Sequence, residues 1–235
     1  MKIMIYLLAL LNVTHAFSNE DHMHQSVSEN NGIATLNVND LQIYSVGIST
    51  GGIAEMRMVE LNPQRKVIAT TIDTKGANFA REHIEAKGLS KQVIVKVEDV
   101  SKPLPYEDAS FDFIYARLVL HYLPKTELVQ ALNELHRALK DGGKLFVVVR
   151  SSNCYEATSK NATFDPLTEL TTYTSNDGNS YSRFFHTENS IQEYLRASGF
   201  TIQHIKSYEE QLCIDFQRTK LSRYIDDLIE VLSSK

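Results

Sequence analysis

The chain has 235 residues, 43% of them hydrophobic and 23% charged, enough to bury a core as one α/β domain or two small ones. A net charge of −5 and a pI near 5.9 leave no electrostatic footprint for nucleic acid or an anionic membrane. Two cysteines, Cys154 and Cys213, lack metal-ligand spacing and read as buried thiols, with a disulfide in play only if the chain is exported.

The N-terminus carries the marks of an export signal over residues 1–16. Lys2 supplies a positive charge, Ile3 to Leu11 is unbroken apolar, and small residues precede a cut after Ala16. The run is too short for a stable membrane span. A buried N-terminal helix, or a true start at Met23 with a cytoplasmic chain, are the alternatives. Residues 17–40 follow as a polar linker, and His15, His22 and His24 read as solvated tail residues rather than metal ligands. Asn161-Ala162-Thr163 fits a glycosylation pattern, which has meaning only in a eukaryotic secretory pathway.

From Leu41 onward strand and helix patterns alternate. A strand over about 41–46 breaks at Gly47, and Gly51-Gly52 opens a helix over about 52–61 that Asn62-Pro63 stops. A β-branched strand over 66–72 ends at Asp73, and a helix over 75–87 stops at Gly88. Strands over 92–97, 111–116 and 144–149 follow, with a leucine-striped helix over 125–139 closed by Asp141-Gly142-Gly143. The rhythm predicts a doubly wound, parallel sheet. Residues 200–208 and 211–216 read as a closing strand pair, and 220–232 as a final amphipathic helix, since Leu221, Tyr224, Ile225, Leu228 and Leu232 fall at helical spacing.

Strand, glycine turn and helix N-terminus together present backbone N–H groups to a ligand. Acidic residues then stand where open α/β sheets use them. Asp73 ends the second strand, Asp99 follows the third, and Asp112 begins the fourth. Singly each reads as a cap; together they suggest one crevice at the strands' carboxyl ends.

Between Leu41 and Arg150 the sequence resembles a class I S-adenosylmethionine-dependent methyltransferase of the broad small-molecule type. The blocks that carry the likeness are V-G-I-S-T-G-G (46–52), T-I-D (71–73), V-E-D-V-S-K-P-L-P-Y-E-D-A-S-F-D-F-I-Y-A (97–116), L-V-L-H-Y-L (118–123) and L-H-R-A-L-K-D-G-G-K-L-F-V-V-V (135–149). Nicotinamide dehydrogenases lack the last two. The stretch 183–200 also looks like the family's helix before its closing strands.

The resemblance implies a Rossmann-like, seven-stranded sheet, mostly parallel with the last strand antiparallel, in a domain over 41–235. It implies S-adenosyl-L-methionine as cofactor. Gly47, Ser49 and Gly51 would form the loop against its amino-acid and ribose portion, Asp73 would take the ribose hydroxyls, and Asp99 the adenine amino group. Val100 would pack near the ring, and Ala116 and Arg117 would lie near the methionine end. Residues 151–185 would be a substrate-covering insert.

Two positions depart from the family pattern. Ser45 stands where a carboxylate is usual, and Ser49 where a second glycine is usual. The first removes a partner for the cofactor's ammonium, and the second narrows the backbone's approach. The sequence therefore predicts methyl transfer to a small-molecule acceptor, with a catalytically inactive, methyltransferase-like binding module as the alternative. Tyr115, Arg117, His121, Tyr122 and His186 are the polar groups at the expected mouth; no base is singled out, and no metal is expected.

Overall fold

The computed structural model describes residues 24, 26–175, 178–213 and 218–235. The expected signal segment, His15, His22 and residues 214–216 of the expected closing pair lie outside these.

A seven-stranded sheet organises the chain in the order β3-β2-β1-β4-β5-β10-β9. Its parallel centre is β1 (Gln42–Val46), β2 (Lys66–Thr71), β3 (Val93–Val97), β4 (Phe111–Arg117) and β5 (Leu139–Arg150). β9 (Thr201–Glu210) and β10 (Asp226–Ser234) complete it, with β10 antiparallel to both of its neighbours. This is the sheet the sequence likeness implies.

Side chains alternate along each strand, so the sheet feeds two cores. On one face Tyr44, Ile114, Val147 and Val149 meet Leu128, Leu132 and Leu135 of α4 (Lys125–Ala138) and Ile191 and Leu195 of α6 (Glu188–Ala197). On the other Ile43, Phe113, Tyr115 and Phe146 meet α1 (Val27–Ala34), α2 (Ile53–Leu61) and α3 (Thr74–Ala86) through Ile33, Met58, Val59, Ala80 and Ile84. The strand order reverses between β1 and β4, which places a crevice at their carboxyl ends.

Three expectations change. The predicted helix over 220–232 is the sheet strand β10, paired through Ile229↔Val149 and Val231↔Val147, and it is β10, not the expected strand over 211–216, that pairs with β9. Flanked by two strands, it is buried almost throughout, so its apolar residues do not alternate and its spacing imitates a helix. The polar segment over 17–40 contains α1, capped by the Ser26 side chain on Glu29 N and burying Ser28, Glu29, Gly32 and Ile33. Gly32 is what lets α1 lie on the sheet, because a Cβ there would sit 2.6 Å from the Tyr115 ring. Asp112 stands at the opposite end of the sheet from the crevice, accepting from the Leu41 and Gln42 amides and pairing with Lys140.

The segment 151–185 folds into the short helix α5 (Tyr155–Thr158) and a three-stranded sheet, β6 (Thr163–Asp165), β7 (Leu170–Thr174) and β8 (Ser180–Arg183). Phe184 and Tyr173 are buried there, whereas Phe164 and Tyr181 are exposed. Cys154 and Cys213 are not bonded to each other. Cys154 donates to the Asp227 carbonyl, and burial pushes its thiol up to about 11.

Candidate active site

β1 ends at Val46, and the chain turns through Gly47 at φ +71°, a left-handed conformation that glycine adopts without strain. Space makes the same demand, since a Cβ on Gly47 would lie 2.7 Å from that of Val119. Gly51 and Gly52 repeat the left-handed turn at +64° and +75° and deliver the chain into α2.

The turn opens on a cleft of about 210 Å³. Gly47, Ile48 and Ser49 form one wall, and Arg117 and Leu118 come from the end of β4. His24 and Ser26 close it from the N-terminal side, and residues from Glu210 to Cys213, with Arg218, close it from beyond β9. Among the described residues, none of the 151–185 insert lines it.

Charge is dense around this cleft, and most of it is paired. Glu29, fully buried, takes two bonds from Arg218 at 2.5 and 3.1 Å and one from Arg57 at 3.0 Å. Burial pushes the Glu29 carboxyl up, yet these bonds and the nearby Arg117 charge hold it below the usual carboxylate range. Arg117 donates to Ser28 Oγ at 2.6 Å and Ser26 Oγ at 2.7 Å, and faces Glu210 at 3.7 Å. The N-terminal helix, the end of β4 and the segment after β9 are thereby tied together over the crevice.

Of the residues expected from sequence, Gly47, Ser49 and Arg117 line the cleft itself. Gly51 lies behind it against His83, and Val100 and Ala116 are packed in the core. Asp73 is exposed at the end of β2 and caps α3 through the Lys75 and Gly76 amides. Asp99, half-buried past β3, accepts from the Ser101 amide at 2.9 Å.

Tyr115, His121 and His186, expected at the mouth, are instead fully buried. His186 stacks on Phe184 at 4.1 Å, and Tyr122 is half-exposed under the Arg183 guanidinium. None of the four lines the cleft.

One participant was missed. Glu55, the third residue of α2, points inward and is fully buried, accepting from Ser45 Oγ and Ser49 Oγ at 2.5 Å each and from Ser49 N at 3.2 Å. Ser49 Oγ in turn accepts from Ala54 N at 2.9 Å, so its hydroxyl is committed to the loop. The signal was available: Glu55 lies one turn before Val59, on the apolar stripe of a helix, where a carboxylate needs a reason.

Similarity to known proteins agrees with this geometry. A solved structure of a SAM-dependent methyltransferase from Methanosarcina mazei superposes with a TM-score of 0.65 at 20% identity, covering 86% of this chain and 95% of that one. This defines the class: a class I, Rossmann-like methyltransferase fold. Residues 44–147 match the family model described as a methyltransferase domain.

Among curated relatives, a demethylmenaquinone methyltransferase of Bacteroides fragilis is 32% identical over 107 residues, spanning 46% of this chain and 42% of its own length. A ubiquinone/menaquinone biosynthesis C-methyltransferase, UbiE, of Rhizobium etli is 29% identical over 175 residues, 68% of this chain and 64% of its own. The chain thus spans less than two thirds of either relative.

A methyltransferase domain implies S-adenosylmethionine as cofactor, and the residues present fit it. The left-handed glycine turn admits close approach to the backbone. Asp73 and Asp99 use only part of their acceptor capacity on backbone amides, because an ionised carboxylate offers about four acceptor positions. When bound, the cofactor supplies a methyl group already activated on a sulfonium.

Proposed function

We propose that this chain transfers a methyl group from S-adenosylmethionine to a carbon of a hydroxylated aromatic ring of the quinol kind. The observation that carries this is the cleft between the β1 turn and the end of β4, with Arg117 in its wall. Methylation at a ring carbon requires that carbon to be made nucleophilic as a neighbouring hydroxyl loses its proton. A phenolate so formed gains from a guanidinium held in place, as Arg117 is by Ser26, Ser28 and Glu210. The catalytic names of the Bacteroides and Rhizobium relatives favour the same acceptor class. Ile48, Leu118 and Leu212 give the cleft an apolar side suited to a ring.

The test is transfer of isotopically labelled methyl to a panel of benzoquinols and naphthoquinols, read by mass spectrometry. The expected product gains one methyl on carbon, and Arg117→Met lowers its rate roughly a hundredfold, the scale for removing one stabilising donor. Cofactor binding with no label transferred to any ring would contradict the proposal and favour the inactive binding module.

A further inference from the structure

Six acidic side chains are buried among the described residues, and five of them face a cation. Glu29 meets Arg218, Asp40 meets Lys144 at 3.1 Å, Glu210 meets Arg117, Glu230 meets Lys206 at 3.2 Å, and Asp226 meets Arg150. Glu55 is the sixth. Among the described residues it has no cation within ion-pair distance, only the neutral donors of Ser45 and Ser49. Arg218, bonded to Glu29, acts on Glu55 from beyond ion-pair distance, so a direct cationic partner for this carboxylate would come from outside the chain.

Its position says which partner. Ser45 is the last but one residue of β1, beside Tyr115 in the sheet register, and the Glu55 carboxylate touches it. The carboxylate is therefore brought by a helix to the place where a strand residue would have carried one. The Tyr115 hydroxyl lies in the field of Arg117, Glu29, Glu55 and Arg218, fully buried and with no hydrogen-bond partner among the described residues. The Glu55 carboxylate itself stands directly behind the turn that lines the cleft, bonded to Ser49.

We infer that Glu55 is the counter-charge for the ammonium of the cofactor's amino-acid end, acting through the Ser45–Ser49 turn. The two departures from the family pattern are then one device, since both serines exist to seat this carboxylate. The inference rests on S-adenosylmethionine being the cofactor. As a positioning residue behind Ser49, Glu55 should discriminate between ligands with and without the ammonium.

Calorimetric titration with S-adenosylhomocysteine and with 5′-methylthioadenosine, which keeps the nucleoside and lacks the amino-acid end, makes that distinction. Wild type should bind the homocysteine compound at least about tenfold more tightly. Glu55→Gln should weaken that compound by about tenfold or more while leaving methylthioadenosine within about twofold, which also shows that the variant is folded. Adding Ser45→Asp to Glu55→Gln should recover most of the loss. Equal weakening of both ligands would mean that Glu55 only shapes the loop, and an unchanged affinity for both would mean that it does nothing there; either result overturns the inference. Equal wild-type affinity for the two ligands overturns it without any variant. Binding of neither ligand to wild type would instead overturn the cofactor assignment.

Discussion

Glu29→Ala should lower the unfolding free energy by about 3–5 kcal/mol, the cost of leaving a buried ion partner uncompensated. Glu29 has no solvent exposure, and the Arg218 side chain that it holds is 5% exposed. Without the carboxylate, Arg218 keeps its charge in a dry site close to Arg117, so like-charge repulsion adds to lost attraction. The same ion pair joins α1 to the segment beyond β9, and the walls of the cleft should loosen with it. Urea denaturation followed by circular dichroism measures the loss. Arg57, the other partner, is 36% exposed, and Arg57→Ala should cost less than about 1 kcal/mol. Equal losses for the two variants would place the stabilisation somewhere other than the buried pair.

Acidification should destabilise the chain as soon as the pH falls below about 6.5. His121 and His186 are both fully buried, and nitrogens on each lack hydrogen-bond partners among the described residues. Burial pushes His186 down to about 3, and burial with the Arg150 and Arg183 charges holds His121 well below its ordinary range. Both therefore stay neutral in the folded chain while the unfolded chain takes up protons near pH 6.5. Their contribution is complete above that pH and is lost as the pH falls from it towards the folded value. For His186 alone the loss by about pH 5 is about 2 kcal/mol. The carboxyl of Glu29, held below its ordinary range, acts lower down: its share is present above about pH 4.5 and lost on further acidification. Unfolding curves at about pH 7.5 and about pH 5 test this, and His186→Phe should flatten the difference by about 2 kcal/mol. A stability independent of pH across that window would contradict the buried, neutral assignment.

The central sheet was legible because its signals are local. A β-branched run ending in glycine, an acidic residue closing each of two strands and a leucine stripe each declare themselves within ten or so residues. What escaped depends on partners distant in sequence. α1 reads as a polar tail until Arg218 and Glu210 are seen to satisfy Glu29, Ser26 and Ser28. β10 carries Glu230 within its apolar run, which suggests the polar side of a helix; in the sheet that carboxylate is taken by Lys206, Asn31 and Tyr208. Ser45 and Ser49 read as losses because the carboxylate compensating for them belongs to the next element. The two mouth histidines were candidates by position alone, and packing on Phe184 and beneath the insert took them out of the cleft.

The most direct test of the account is calorimetric titration of S-adenosylmethionine into the chain, with Asp73→Ser as the comparison. Serine keeps the cap that Asp73 gives α3 but is too short, and uncharged, to hold a ribose diol. Binding at about micromolar affinity, weakened at least about tenfold by the substitution at unchanged stability, is the result expected. A folded wild-type chain that takes up no S-adenosylmethionine would contradict it.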